Sequence, residues 1–451
     1  MMRAETSPLL TDLYQLTMIQ SYLDHGLTDT AVFEFFVRKL PDNRNFLMCC
    51  GLEQVLHYLR DLKFSEQELE WLTGCGRFSQ DFVDYMATVH FNGDVHAMCE
   101  GTVFFPDEPV LRITAPLPLA QLVETRIINI LNFQILIASK AARVALAAPG
   151  KLLVDFGLRR SHGAEAGLMA ARAGFIAGLS GTSNVLAEPV FGIPIFGTMA
   201  HSYILAHDSE EKAFVHYARS HPDNVVLLID TYDTERATEK VVAIAPQLKA
   251  DGIAIRGVRL DSGDLAEHAR RVRQILDRGG LNDVTIFASG NLDEYKLAEI
   301  EAQHAPIDGY GIGTRMNTSN DAPYLDCAYK LQEYGGIARR KTSEGKATWP
   351  GRKQVYRTFE NNSMAGDIIT TADDTQDGKP LIEPVMKHGK LLAPCPPLSA
   401  IREHAANELA RLPLQMCRLQ PATPYAVEIS TVLKRCARVA DERSGAATDN
   451  S

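Results

Sequence analysis

Between residues 151 and 315 short apolar runs alternate with helical patterns, and this alternation constrains the fold more than any other feature. The runs are "KLLVDFG", "GLSGTS", "PIFGTMA", "VVLLID", "AIRGVRLD", "VTIFASG" and "GYGIGT". Between them lie "AEAGLMAARAGFIAG", "SEEKAFVHYARS", "TERATEKVVAIAPQLK", "DLAEHARRVRQILDRG" and "LDEYKLAEIEAQ", whose apolar residues recur at three- and four-residue spacing. Buried strands alternating with helices mean a parallel sheet. Seven strands in series favour an irregular α/β barrel over an open doubly wound sheet, although a regular barrel has eight.

The flanks read differently. "TAVFEFFVRKLP", "GDVHAMCEG" and "GTVFFPDEPVLRITAP" look like strands of a mixed sheet, with helices over "EQVLHYLRDLKFSEQELEWL". After the barrel, "YKLQEYGGIARRKTSEGKATWPGRKQVYRTF" reads as hairpin strands. The expected organisation is an N-terminal α/β domain over 1–116 and a barrel over 117–330. C-terminal segments over 331–436 complete the first domain, and a disordered tail follows over 437–451. A long helix covers the junction near "QLVETRIINILNFQILIASKAARVALAA".

Composition narrows the functional classes. A net charge of −10 argues against a nucleic-acid binder, which would show a basic face. No run approaches ~18 uninterrupted apolar residues, so no membrane span is expected. The eight cysteines form no CxxC pair and are read as reduced, packed thiols of a cytoplasmic protein.

A βα barrel carries its active site at the C-terminal ends of its strands. Here those ends collect Asp155, Phe156 and Arg159; Thr182 and Ser183; His201 and Ser202; Asp230, Thr231 and Asp233; Arg259, Asp261 and Ser262; Ser289, Gly290 and Asn291; Gly313, Thr314 and Arg315. The strand bodies hold few such groups. "ASGN" and "GIGT" pair glycine with a hydroxyl at the last two ends, where exposed backbone N–H groups bind phosphate; simple tight turns are the plainer reading. Asp261 suits ribose hydroxyls or a metal ion, and Asp264 a helix N-cap. Asp230 suits a metal ion or a histidine partner. Arg159 is either a bidentate clamp for an anion or half of a surface ion pair. Phe156 either stacks on a flat ring or packs in the core.

Taken together, "LLTDLYQLTM" (Leu9–Met18), "DFGLRR" (Asp155–Arg160), "GTSN" (Gly181–Asn184), "GTMAHS" (Gly197–Ser202), "RLDSGDL" (Arg259–Leu265), "SGNLDE" (Ser289–Glu294), "GIGTRM" (Gly311–Met316) and "KTSEGKATWPGRKQVYR" (Lys341–Arg357) resemble the nicotinate phosphoribosyltransferase family. The resemblance implies the type II phosphoribosyltransferase fold. It implies conversion of nicotinate and phosphoribosyl pyrophosphate to nicotinate mononucleotide and pyrophosphate in NAD salvage. ATP as co-substrate is coupled through a phosphohistidine, which His201 matches, with Mg²⁺ bridging pyrophosphate oxygens. It also implies a homodimer in which Tyr14 enters the partner's site and sandwiches the pyridine ring with Phe156.

On the same basis Arg159, Thr182 and Ser183 fall to nicotinate, since a serine hydroxyl can donate to a carboxylate where nicotinamide-using relatives carry an aspartate. Arg259, Ser289, Gly290, Gly313 and Thr314 fall to phosphate groups. Arg38, Lys341 and Lys346 are pyrophosphate or ATP contacts, or else solvated charges. Asp261 and Asp230 are catalytic and hold the metal. Nicotinamide- or quinolinate-using enzymes of the same fold, or another barrel enzyme on a phosphorylated sugar, are the alternatives.

Overall fold

The computed structural model describes residues 7–445 and divides into two compact units, Met1–Ser139 with Tyr324–Ser451, and Lys140–Pro323. In the first unit a seven-stranded sheet runs in the order Ile337–Ala338, Cys327–Tyr334, Thr30–Val37, Pro109–Pro116, Asp94–Ala97, Glu383–Lys387, Lys390–Leu391. Thr30–Val37 pairs antiparallel with both Pro109–Pro116 and Cys327–Tyr334, so the two ends of the chain build one sheet. A four-stranded sheet centred on Lys353–Glu360 and Ser363–Thr371 completes the unit.

The unit boundaries differ from those expected at 117 and 330. Helix Leu117–Leu122 packs on helix Leu13–Asp24 and on strands Thr30–Val37 and Pro109–Pro116, which keeps it in the first unit. Cys327–Tyr334 belongs there through its ladder with Thr30–Val37. The expected tail from 437 is also corrected: helix Thr431–Ser444 extends through it. That helix is capped by the Ser430 hydroxyl on the Leu433 N–H, buries Leu433, Ala437 and Ala440, and is tied by Arg340 to Asp441 at 2.7 Å. Residues 446–451 lie outside the described residues.

Two basic residues of the "KATWPGRKQVYR" stretch hold the first unit together. Lys353 is buried, its Nζ 2.6 Å from Glu34 Oε2. The fully buried Arg357 donates from Nε and Nη2 to Asp367 and from Nη1 to Glu408 Oε2 at 3.0 Å. Paired charges in such surroundings are tolerated only while every partner is present.

The second unit carries six parallel strands: β1 (Leu152–Asp155), β2 (Gly181–Thr182), β3 (Val225–Leu228), β4 (Ile255–Leu260), β5 (Thr285–Ser289) and β6 (Gly309–Ile312). Their order is β2-β1-β6-β5-β4-β3, a curled half-barrel. Leu153, Val154, Val258, Leu260, Ile286, Ala288, Tyr310 and Ile312 fill its core, at about 1.5–3 kcal/mol for each large side chain removed from water. The five expected helices form at Ala164–Ile176, Glu210–Ser220, Thr234–Ala250, Leu265–Arg278 and Glu294–Ala302, and Asp264 caps the fourth by accepting from the Glu267 N–H.

The third run, Pro194–Ala200, does not become a barrel strand. It makes one bridge, Ile195 to Thr182, and Ile195 is exposed. Pro194 has no N–H for a ladder and Gly197 no side chain to pack. The barrel therefore stays open between β2 and β3. Helix Glu124–Ala147 is long and apolar enough to cross a membrane by composition, but most of it is buried in the protein. It carries Lys140, whose Nζ lies 2.8 Å from Glu294 and 2.7 Å from Asp321.

Replacing Arg357 by Ala strands Asp367 and Glu408 in the core. The expected loss is about 3–5 kcal/mol in denaturant-unfolding stability; an unchanged midpoint and slope would contradict the anchoring role.

Candidate active site

The C-terminal rim of the parallel sheet gathers polar groups in layers. At the end of β4, Asp261 stands half-exposed. Its Oδ1 accepts from the Ser289 hydroxyl at the end of β5. At the end of β3, Asp230 is buried. Its Oδ2 accepts from the Asp261 N–H at 3.1 Å and from the Ser262 hydroxyl at 2.7 Å. Its Oδ1 is buried with no hydrogen-bond partner among the described residues.

His201 completes this group. It opens the short helix His201–Leu205. Its Nδ1 lies 3.1 Å from Thr231 Oγ1. Its Nε2 faces both carboxylates, 3.8 Å from Asp261 Oδ2 and 4.0 Å from Asp230 Oδ1. Thus His201 stands where strand-end reasoning places it, but on a helix start after an irregular segment.

Arg259 explains how that segment is held. Its Nη1 donates to Thr198 Oγ1 at 2.8 Å and its Nη2 to the Met199 carbonyl at 3.0 Å, two residues before His201. Two donors of this guanidinium thus clasp the segment that delivers His201, a tie that residue type alone does not reveal. Burial lowers its pKa, Asp261 and Asp230 oppose that, and Arg159 adds to the lowering. Arg159 itself is exposed, with no ion-pair partner among the described residues.

At the end of β1, Asp155 is buried, accepting from the Gly157 N–H and from the Thr182 hydroxyl, each at 2.8 Å. Burial raises its pKa; Thr182, the Gly157 N–H and Asn317 counter it. Thr182 is fully buried, and its oxygen also accepts from the Asn184 N–H at 3.1 Å. The Thr182 hydroxyl braces the turn around Ser183. Ser183 is half-buried, its N–H on the Asp155 carbonyl at 2.8 Å. The half-exposed Phe156 ring lies over Gly311 of β6, where a Cβ would meet Phe156 Cδ2 at 2.5 Å.

Both glycine turns are required by space. Gly290 has φ +105°, and a Cβ there would lie 2.1 Å from the Asp261 carbonyl oxygen. A Cβ on Gly313 would meet the Phe156 carbonyl at 2.9 Å. Arg315 joins the two turns, its Nε donating to Asn291 Oδ1 at 3.0 Å and its Nη1 to Asp293. Ser289 is buried on Asp261, where its hydroxyl orients that carboxylate. Gly290, Gly313 and Thr314 remain at the rim.

Tyr14, Arg38, Lys341 and Lys346 belong to the first unit. Tyr14 is exposed on helix Leu13–Asp24, Arg38 pairs with Asp326 at 3.1 Å, and both lysines are exposed. Sequence reasoning gave no role to Thr231, Ser262, Arg315 or Asn317. The first three stand at strand ends, which was the available signal. Asn317, which occupies the space a Gly157 side chain would need, gave none.

A curled parallel sheet with this rim, in a chain whose other unit is built from both chain ends, is the type II phosphoribosyltransferase fold. Models of the nicotinate phosphoribosyltransferase (NAPRTase) N-terminal domain, family and C-terminal domain match residues 9–132, 152–348 and 374–437. The chain is 46% identical over 429 residues to nicotinate phosphoribosyltransferase pncB2 of Mycobacterium tuberculosis, covering 95% of this chain and 92% of that one. It is 36% identical to the nicotinate phosphoribosyltransferase of Bacillus subtilis, covering 94% and 92%. The crystal structure of human nicotinic acid phosphoribosyltransferase superposes with a TM-score of 0.86 at 28% identity, covering 95% and 99%. The chain belongs to the nicotinate phosphoribosyltransferase family of enzymes.

Ser289→Ala removes the hydroxyl that orients Asp261 without emptying a large volume. Supporting groups of this kind carry roughly 10–100-fold effects. The expected outcome is a loss of that order in kcat with unchanged thermal stability; full activity would show that Asp261 needs no such support.

Proposed function

We propose that the protein forms nicotinate mononucleotide and pyrophosphate from nicotinate and phosphoribosyl pyrophosphate in NAD salvage. ATP hydrolysis is coupled to it through phosphorylation of His201. The observation that supports this reading is the arrangement of His201 against Thr231, Asp230 and Asp261 at the rim. In the transfer, the pyridine nitrogen forms its bond to ribose C1 as the bond from C1 to the pyrophosphate oxygen breaks. Positive charge builds on the ribose, so the chain has to position both reactants and neutralise the leaving group.

Phe156 offers a flat face to the ring, and Arg159 and Ser183 a cation and a hydroxyl to the nicotinate carboxylate. Gly290, Gly313 and Thr314 offer backbone N–H groups and a hydroxyl to phosphate, and Arg38, Lys341 and Lys346 are assigned to pyrophosphate or ATP. Thr231 engages His201 Nδ1, which leaves Nε2 to accept the γ-phosphoryl group of ATP: the N–P bond forms as the P–O bond to ADP breaks.

A phosphoryl group at Nε2 would sit close to two carboxylates, which repel it unless a cation intervenes. The unpartnered Asp230 Oδ1 and the half-exposed Asp261 Oδ2 are an oxygen donor set that suits Mg²⁺. When bound there, Mg²⁺ supplies charge neutralisation for phosphate oxygens. A homodimer, with Tyr14 supplied to the ring by a second copy, fits the exposed Val185, Leu186, Val190, Ile195 and Leu205, apolar surface that association would cover. Eight cysteines outside any disulfide suit a reducing cytoplasm.

Pyrophosphate release from phosphoribosyl pyrophosphate tests the reading, with nicotinate, nicotinamide and quinolinate offered in turn. Nicotinate is expected to be the working substrate; preference for either of the others would overturn the assignment. Ser183→Asp brings a carboxylate toward the nicotinate carboxylate and is expected to raise nicotinate KM by roughly 100-fold or more. Unchanged nicotinate kinetics in that variant would refute the selectivity argument.

A further inference from the structure

Outside this site, the first unit brings together a glutamate, a histidine and a cysteine. Glu53 and His57 sit four residues apart on helix Leu52–Arg60, hence on one face, one turn from each other. Cys395 arrives from the segment preceding helix Leu398–Ala410. One ligand atom from each, a carboxylate oxygen, an imidazole nitrogen and Sγ, lies within 4.8 Å of the other two. All three side chains are half-buried.

We propose that Glu53, His57 and Cys395 bind a thiophilic divalent cation of the Zn²⁺ class. Ligand atoms around a tetrahedral zinc stand about 3.3–3.6 Å apart, given bonds of about 2.0–2.3 Å. Binding would draw the three atoms together by about 1 Å through side-chain rotation. The backbone is suited to that: Cys395 lies in Pro394-Cys395-Pro396-Pro397, whose prolines fix three φ angles around the thiol. Mg²⁺ and Ca²⁺ take oxygen ligands and do not suit a thiolate and an imidazole. The softer first-row ions do.

Binding displaces one proton from the Cys395 thiol to solvent, while His57 ligates as the neutral imidazole and Glu53 as the carboxylate. Three protein ligands leave a fourth position. Glu53 and Cys395 both line a pocket of about 450 Å³, with room there for water or a small ligand. The bound ion would join the N-terminal helix to the C-terminal segment, a cross-link within the unit that both chain ends build.

Cobalt(II) is the probe, because a thiolate-to-cobalt charge-transfer band reports sulfur ligation and is blind to the carboxylates of the active site. The full-length protein is expected to develop this band to one equivalent and lose it on addition of Zn²⁺. Cys395→Ser should abolish the band, His57→Asn should weaken cobalt binding at least about 10-fold, and Cys99→Ser should leave it intact. Absence of the band in the unaltered protein, or its persistence in Cys395→Ser, overturns the proposal. A second measurement needs no variant: Zn²⁺, unlike Mg²⁺, should slow alkylation of Cys395 at least about 10-fold, and equal rates with and without Zn²⁺ overturn it too.

Discussion

The rim of the second unit is organised by one buried carboxylate. Asp230 holds the start of the loop after β4 through a single oxygen, taking the Asp261 N–H and the Ser262 hydroxyl. Its other oxygen has no hydrogen-bond partner among the described residues and lies 4.0 Å from His201 Nε2. A buried, unpartnered carboxylate oxygen costs of order 1–3 kcal/mol or more. The fold tolerates it beside an imidazole and a second carboxylate. In the proposed mechanism that tension is relieved by a bound cation, and the same oxygen becomes part of the chemistry.

Everything around Asp230 keeps this geometry. Ser289 fixes Asp261 from the neighbouring strand, Gly290 lets the two loops touch, and Arg259 ties down the segment that delivers His201. On the other flank Asp155 and Thr182 brace the turns carrying Phe156 and Ser183. Many of the polar groups at the rim thus hold other rim groups in place. A site on strand ends of a parallel sheet gains its precision from such cross-strand ties.

This also separates what was legible in the sequence from what was not. Alternating apolar runs and three-to-four periodicity revealed the parallel sheet and its helices because both signals are local. Strand-end reasoning found His201, Asp230 and Asp261 because the sheet's geometry makes position along a strand informative. The apolar-run signal failed at Pro194–Ala200, where composition imitates a strand but Pro194 and Gly197 deny it a ladder. Strand-end reasoning also gave no sign that Thr182, Ser289 and Arg259 bond to neighbouring strands and segments. Residue type alone does not distinguish a hydroxyl or guanidinium facing a ligand from one facing a neighbouring strand. Lys353 and Arg357 show the same limit in the first unit: basic residues of a motif stretch that serve buried carboxylates from distant parts of the chain. Asn317 gave no sign, because its role depends on a glycine 160 residues earlier in sequence.

The central claim is that His201, through Nε2, carries the phosphoryl group that couples ATP to nucleotide formation. The most direct test is peptide mapping after a brief incubation with ATP and Mg²⁺, quenched in alkali. The account predicts an acid-labile, alkali-stable phosphoryl group on the peptide containing His201, absent in His201→Ala. A phosphoryl group on Ser202 or another hydroxyl, or none on this peptide while ATP is being turned over, would contradict it.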